Sequence, residues 1–143
     1  MISFFVPGIP APGGSKRAFA IKKGGVFTGR VAIVDDAGQR NKDWRQACVV
    51  VANDHRPQEL FRGALRVDFA FTMPRPKYHF HTSKAREGQL REDAPTYHTS
   101  KPDRTKLMRS TEDALKGIIW ADDSQIVAGE PTKTYGEIGR AHV

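Results

Sequence analysis

Hydrophobic and polar positions alternate along this chain with periods that change from stretch to stretch, and each period predicts an element. Residues 2–6 are β-branched and aromatic apart from Ser3 and stop at Pro7 and Gly8, the mark of a strand closed by a turn. A Pro/Gly loop should follow to Gly14, and a short strand pair is expected over 26–34 around Thr28, Gly29 and Arg30. Trp44, Ala47, Cys48 and Val51 recur at helical spacing, which predicts a helix over 41–54. Arg56 and Pro57 end it, because proline cannot continue a helix and biases its predecessor away from helical geometry. Val67, Phe69 and Phe71 alternate with Asp68, Ala70 and Thr72, the period of a strand with one buried face, and Pro74 and Pro76 close it.

Farther on, Leu107, Thr111, Ala114, Leu115 and Ile118 fall on one stripe, with Lys106, Arg109, Asp113 and Lys116 outside it. That is an amphipathic helix ending at Gly117, with Arg109–Asp113 and Glu112–Lys116 spaced as ordinary surface pairs. A short strand is expected over 125–128. The polar, basic stretch 77–100 has no period and is expected to be a flexible loop. The fold class these elements imply is α/β (α+β): a small single domain, a mixed sheet and two main helices. At 143 residues the chain is one ordinary domain, and no internal repeat is visible. We expect the domain to occupy 1–136. Residues 137–143 read as a translated sequencing-library adapter and are expected to be a non-native tail.

Composition then narrows the partner. Lys and Arg outnumber Asp and Glu by 23 to 16, giving a net charge of +7, which suits a polyanionic partner, nucleic acid first. No apolar run approaches the roughly 20 residues of a membrane span. No basic amphipathic helix supports a membrane surface either, so no membrane partner is expected. The N-terminus lacks a basic leader region, and the protein is expected to be cytoplasmic. Cys48 is the single cysteine, so no internal disulfide is possible. Its apolar neighbours suggest a small buried hydrophobe rather than a nucleophile.

Candidate chemistry lies mostly in the second half. Gly8 to Ser15 fails as a phosphate loop, because Gly13 is followed by Gly14 where a lysine is needed. Lys16 and Arg17, next to it, are candidate phosphate contacts. Asp103 stands at the start of the later helix, and Asp122 and Asp123 follow that helix. Carboxylates are hard oxygen ligands suited to Mg²⁺ in phosphodiester chemistry. Each also has a local role open to it, Asp103 as a helix cap and Asp122 with Asp123 as a turn pair. Convergence requires the chain after Gly117 to travel back along a helix of about 20 Å. Residues 118–122, extended at roughly 3.3 Å each, are expected to cover most of that length. His79, His81 and His98 lack a cysteine or carboxylate at a fixed offset and read as solvated or phosphate-contacting groups rather than metal ligands. Phe4, Phe5, Phe69 and Phe71 sit at strand spacing and read as core rather than base-stacking platforms.

The run Lys101, Pro102, Asp103, then Leu107, Asp113, Ala114, Leu115, Gly117 and Asp122 through Val127, resembles the signature of the RusA family of Mg²⁺-dependent Holliday-junction resolvases. The opening Phe5 to Pro12 is similar to the first strand and loop of its phage branch. The resemblance implies a small domain that forms a homodimer and cuts opposed strands of a four-way DNA junction in recombination and repair. Carried over, Asp103, Asp122 and Asp123 are the metal residues, with Asp103, Asp123 and Arg109 catalytic. The second acid of the helix-start pair falls on Thr105 and the family's lysine on Arg109. Threonine can hydrogen-bond a metal-bound water but brings no charge, which leaves Asp68 or Asp113 as stand-ins. Arginine can neutralise developing charge but does not exchange a proton near neutral pH. Lys16, Arg17, Lys101, Arg104 and Lys106 would track the DNA backbone. Thr105 also motivates an alternative, a catalytically impaired junction- or duplex-DNA-binding protein. An RNA-binding module is disfavoured, because no ribonucleoprotein motif or Gly-x-x-Gly clamp is present.

Overall fold

Every buried side chain of helix α1 (Gly38–Asp54) faces helix α2 (Arg104–Leu115) or the strands beside it, and that packing sets the position of the site. The computed structural model describes residues 1–14, 16–35 and 38–136, except the side chains at 16, 17, 34 and 35; the expected tail at 137–143 lies outside the described residues. Besides the helices there are six strands: β1 (Lys16–Lys23), β2 (Val26–Asp35), β3 (Leu65–Arg66), β4 (Phe69–Met73), β5 (Ile126–Ala128) and β6 (Pro131–Tyr135). Short 3-10 turns lie at Lys77–His79 and Asp123–Gln125.

β3 pairs with β5 and β4 with β6, both in parallel; the register shifts by one residue between Leu65 and Arg66 and is the same from Arg66 through β4. Val67 N donates to Ala128 O at 3.0 Å and Phe69 N to Glu130 O at 3.2 Å, carrying the ladder across the gap between the two pairs. Parallel neighbours need a crossover, and α2 supplies it. Gly129 sits in the gap with φ +122°, its Cα so close to the neighbouring strand that a Cβ would stand 1.7 Å from Val67 O. On the far side of β6 an antiparallel bridge joins Tyr97 to Thr134, so the arrangement is mixed, as expected for this α/β (α+β) domain.

Trp44, Cys48 and Ala52 from α1 meet Leu107, Ala114 and Leu115 from α2 over Phe71 and Met73. Polar groups run through this interface. Asn41 Nδ2 donates to Ser110 Oγ at 2.7 Å, Trp44 Nε1 to Thr111 Oγ1 at 3.1 Å, and Thr111 Oγ1 to Leu107 O at 2.8 Å. Burial pushes the Cys48 thiol up to about 12, the behaviour of a small buried hydrophobe. No described helix is long and apolar enough to cross a membrane.

The helices and β4 match the periodicity, with α1 starting at Gly38 rather than 41. Two local expectations are corrected. Residues 2–6 belong to no strand; Phe4 and Val6 pack on the core and help line an apolar cavity of about 790 Å³. Apolar side chains half-bury this segment, but a ladder also needs a partner edge in register. The β1–β2 turn falls at Gly24 and Gly25, whose φ values of +61° and +82° suit a two-residue hairpin turn. Gly29, with φ +80°, instead serves a bulge that sets Ile21 against Thr28 to Arg30, fastened by Thr28 Oγ1 donating to Ile21 O at 2.8 Å. β6 is a strand that no alternation announced. The stretch 77–100 lies against it: Tyr135 N donates to Thr96 O at 2.9 Å and His98 N to Lys133 O at 3.2 Å.

Candidate active site

α2 begins where the chain is pinned from β6. Lys133 Nζ donates to Ser100 O at 2.6 Å and to Pro102 O at 2.7 Å, and Leu107 is fully buried one turn later. Asp103 stands at the cap position, its carbonyl accepting from Lys106 N and Leu107 N at 3.1 Å each. Its carboxylate makes no capping bond and is exposed, at the positive end of the helix dipole. Lys101, Thr105, Lys106 and Arg109, its neighbours along the chain, are exposed, and Arg104 Nη1 lies 3.5 Å from Pro131 O.

The other acids lie at the opposite end. Gly117, at φ +81°, turns the chain, with its N–H donating to Trp120 O at 2.7 Å. Asp122 Oδ1 accepts from Ser124 N at 2.9 Å, while its Oδ2 is 3.2 Å from Lys116 Nζ. The Ser124 amide, then Lys116, holds the Asp122 carboxyl down to about 2. Asp123 Oδ1 accepts from the Trp120 indole at 2.8 Å. Burial, then the charges of Asp123 and Asp113, raises the Glu112 carboxyl above the usual range. Lys116 therefore pairs with Asp122 rather than with Glu112 as its spacing suggested.

A 12-residue helix is about 18 Å long. Asp103 is at its start, and Asp122 and Asp123 are beside its end. After Gly117 the chain turns over Trp120 and passes Asp122 and Asp123 before β5 and β6 carry it back to the start of α2. Within one chain, then, Asp103 and Asp123 do not form a common Mg²⁺ site, and both oxygens of Asp122 are already engaged. Among the described residues no three His, Cys, Asp or Glu side chains group so as to hold a metal ion. Asp68 is no stand-in for Thr105: Arg66 holds it through Nε at 3.0 Å and Nη2 at 3.3 Å, and Glu130 N donates to it at 3.1 Å. Asp113 is exposed but lies toward the Lys116 end of α2.

His79 and His98 are not solvated loop groups. His79 is 5% exposed and packs edge-on against Tyr78 and Tyr135, and His98 also packs against Tyr135. Burial, then Lys133, lowers the His98 pKa. Phe71 is buried, and Phe4 and Phe69 pack on the core, as their strand spacing suggested. The backbone of Lys16 and Arg17 lies in β1; their side chains are outside the described residues.

The family model for endodeoxyribonuclease RusA matches residues 11–143. The chain belongs to the RusA family. A protein of Bacillus subtilis (strain 168) described as uncharacterized protein YqaN is 32% identical to it over 146 residues, covering 99% of this chain and 93% of its own length. No solved structure matches. As a RusA-family protein the chain is an endodeoxyribonuclease, and DNA is the polyanion its positive charge pointed to. Two residues that hold the candidate acids escaped sequence reasoning. Lys133, on the unforeseen β6, positions Asp103 through the backbone. Trp120 holds Asp123, and its place three residues earlier was the one available signal.

Proposed function

We propose that this RusA-family protein is a structure-selective, Mg²⁺-dependent endonuclease that resolves four-way DNA junctions during recombination and repair, acting in the cytoplasm as a two-fold homodimer. The observation that carries the reading is the Asp103 carboxylate: family motif in register, no capping bond, and Lys101, Lys106 and Arg109 exposed within six residues of it along the chain. Asp103 and Asp123 are the carboxylates of the reaction, with Asp122 holding the turn that presents Asp123. Arg109, one turn beyond Thr105, neutralises charge developing on the phosphate. Lys101, Arg104 and Lys106 track the DNA backbone, with Lys16 and Arg17 as further contacts. Two opposed cuts require two sites related by symmetry. The separation of the carboxylates along α2 gives the dimer a second purpose. If α2 lies antiparallel to its copy, Asp103 of one protomer faces Asp123 of the other.

The test is cleavage of a labelled four-way junction beside linear duplex, with and without Mg²⁺. Wild type should give paired, Mg²⁺-dependent nicks at the junction, and Asp103→Asn and Asp123→Asn should each give none. An exchanged mixture of the two variants should regain single nicks, since one site of each mixed dimer is intact; silence from the mixture would refute the shared site. Thr105, exposed in the first turn of α2, favours a second reading, an impaired junction-binding protein. Tight junction binding with no nicks by wild type would establish that one.

A further inference from the structure

The β1–β2 hairpin is apolar on both faces, and the rest of the described chain covers neither. Cross-strand neighbours share a face, so Ala18, Ala20 and Lys22 lie with Ile33, Val31 and Phe27, while Phe19, Ile21 and Lys23 lie with Ala32 and Val26. Every described side chain from Ala18 to Ile33 is exposed except Ala32; Phe27 is 54% and Ile33 70% exposed. A lone two-stranded hairpin is marginally stable in water, and an uncovered apolar surface marks an interaction site.

Charge identifies the occupant. Residues 18–33 carry Lys22, Lys23 and Arg30 and no Asp or Glu. The two lysines directly precede the Gly24–Gly25 turn on β1 and the arginine lies in the bulge of β2, all exposed. An eight-residue strand is about 26 Å long. The major groove of B-DNA, about 12 Å wide, admits a two-stranded ribbon. Cations beside apolar wedges are also the means by which proteins part stacked bases. Paired duplex shows a groove only base edges, whereas a branch point offers the face of a base pair.

We propose that the β1–β2 hairpin is an arm that enters branched DNA, with Lys22, Lys23 and Arg30 on phosphates and Phe27 stacked on a base pair at the branch. The assignment rests on the reading that branched DNA is the substrate, and it adds a source of preference for junction over duplex that lies outside the cleavage site.

Binding is measured in EDTA, where catalysis plays no part, on a four-way junction with 2-aminopurine at the branch and on linear duplex, over a range of salt. The proteins are wild type, the triple variant Lys22→Ala/Lys23→Ala/Arg30→Ala, Phe27→Ala and the gentler Phe27→Leu, each checked for an unchanged melting temperature. The triple variant should lose about two to three units of the log–log salt slope, at about 0.9 per phosphate. Both Phe27 variants should keep the slope but lose the 2-aminopurine rise and about ten-fold of the junction preference, the scale of one lost base–aromatic stack. Junction binding unchanged in all variants overturns the arm and leaves the junction reading standing; no junction binding by wild type overturns both. Retained DNA binding with a dimer-to-monomer change in sedimentation also overturns it, and gives the hairpin to a second copy of the chain.

Discussion

Removing one hydroxyl from the helix interface tests whether the polar seam there holds α2, and with it Asp103, in place. Asn41 is 3% exposed and Ser110 2%, and the amide donates to the hydroxyl at 2.7 Å. Ser110→Ala leaves the Asn41 amide facing a methyl group where water does not reach. A buried donor without a partner costs about 1–3 kcal/mol. The oxygen removed is small, so the cavity contribution is minor and about 2 kcal/mol is the expected loss. With a urea m-value of about 2 kcal/mol/M for a domain of this size, the unfolding midpoint should fall by about 1 M. Trp44 and Trp120 are both buried in the core and report unfolding by fluorescence. Asn41→Ala/Ser110→Ala should cost less than the two single losses together, by about 1–2 kcal/mol, because it removes both partners at once. A midpoint shift below about 0.2 M for Ser110→Ala, or strictly additive losses, would refute the claim that this bond organises the interface.

Two further outcomes follow from the strand gap and the turn after α2. In Gly129→Ala the new Cβ would stand 1.7 Å from Val67 O on a backbone with φ +122°, so the parallel ladder must open. A loss above about 4 kcal/mol is expected, beyond the usual range of single substitutions; a melting temperature within about 3 °C of wild type would show that the strands can part freely. Asp122, held down to about 2 from 3.8, contributes stability that is full above about pH 4 and lost as pH falls through about 2. The difference in urea midpoint between wild type and Asp122→Asn should therefore shrink across that window, and a difference flat with pH would remove the Ser124 and Lys116 interactions as its cause.

α1, α2 and β4 were legible because their signal is local. Trp44, Cys48, Leu107, Ala114 and Leu115 are buried by the same helical spacing that announced them. β6 was not legible: Pro131 to Tyr135 alternates no apolar residues, and its strand character comes from β4 on one side and Tyr97 on the other. The histidines misled for a related reason. A polar, aperiodic stretch looks solvated until Tyr135, more than 30 positions away from His98, supplies a ring to pack on.

By itself the sequence determined the fold class, two amphipathic helices, a positively charged nucleic-acid-binding protein and, through the motif around Asp103 and Asp123, the RusA family. These follow from spacing and charge, which are properties of neighbouring residues. Only the tertiary structure decided that Asp103 and Asp123 stand at opposite ends of α2, that Asp68 is tied to Arg66, and that the β1–β2 hairpin is left uncovered. Chain length allowed the two carboxylates to converge. Asp122 and Asp123 are instead held in the turn before β5, because Phe61, Leu65 and Trp120 pack on the core and Gln125 Nε2 donates to Phe61 O at 2.9 Å and Gly63 O at 3.1 Å, and such partners are distant in sequence.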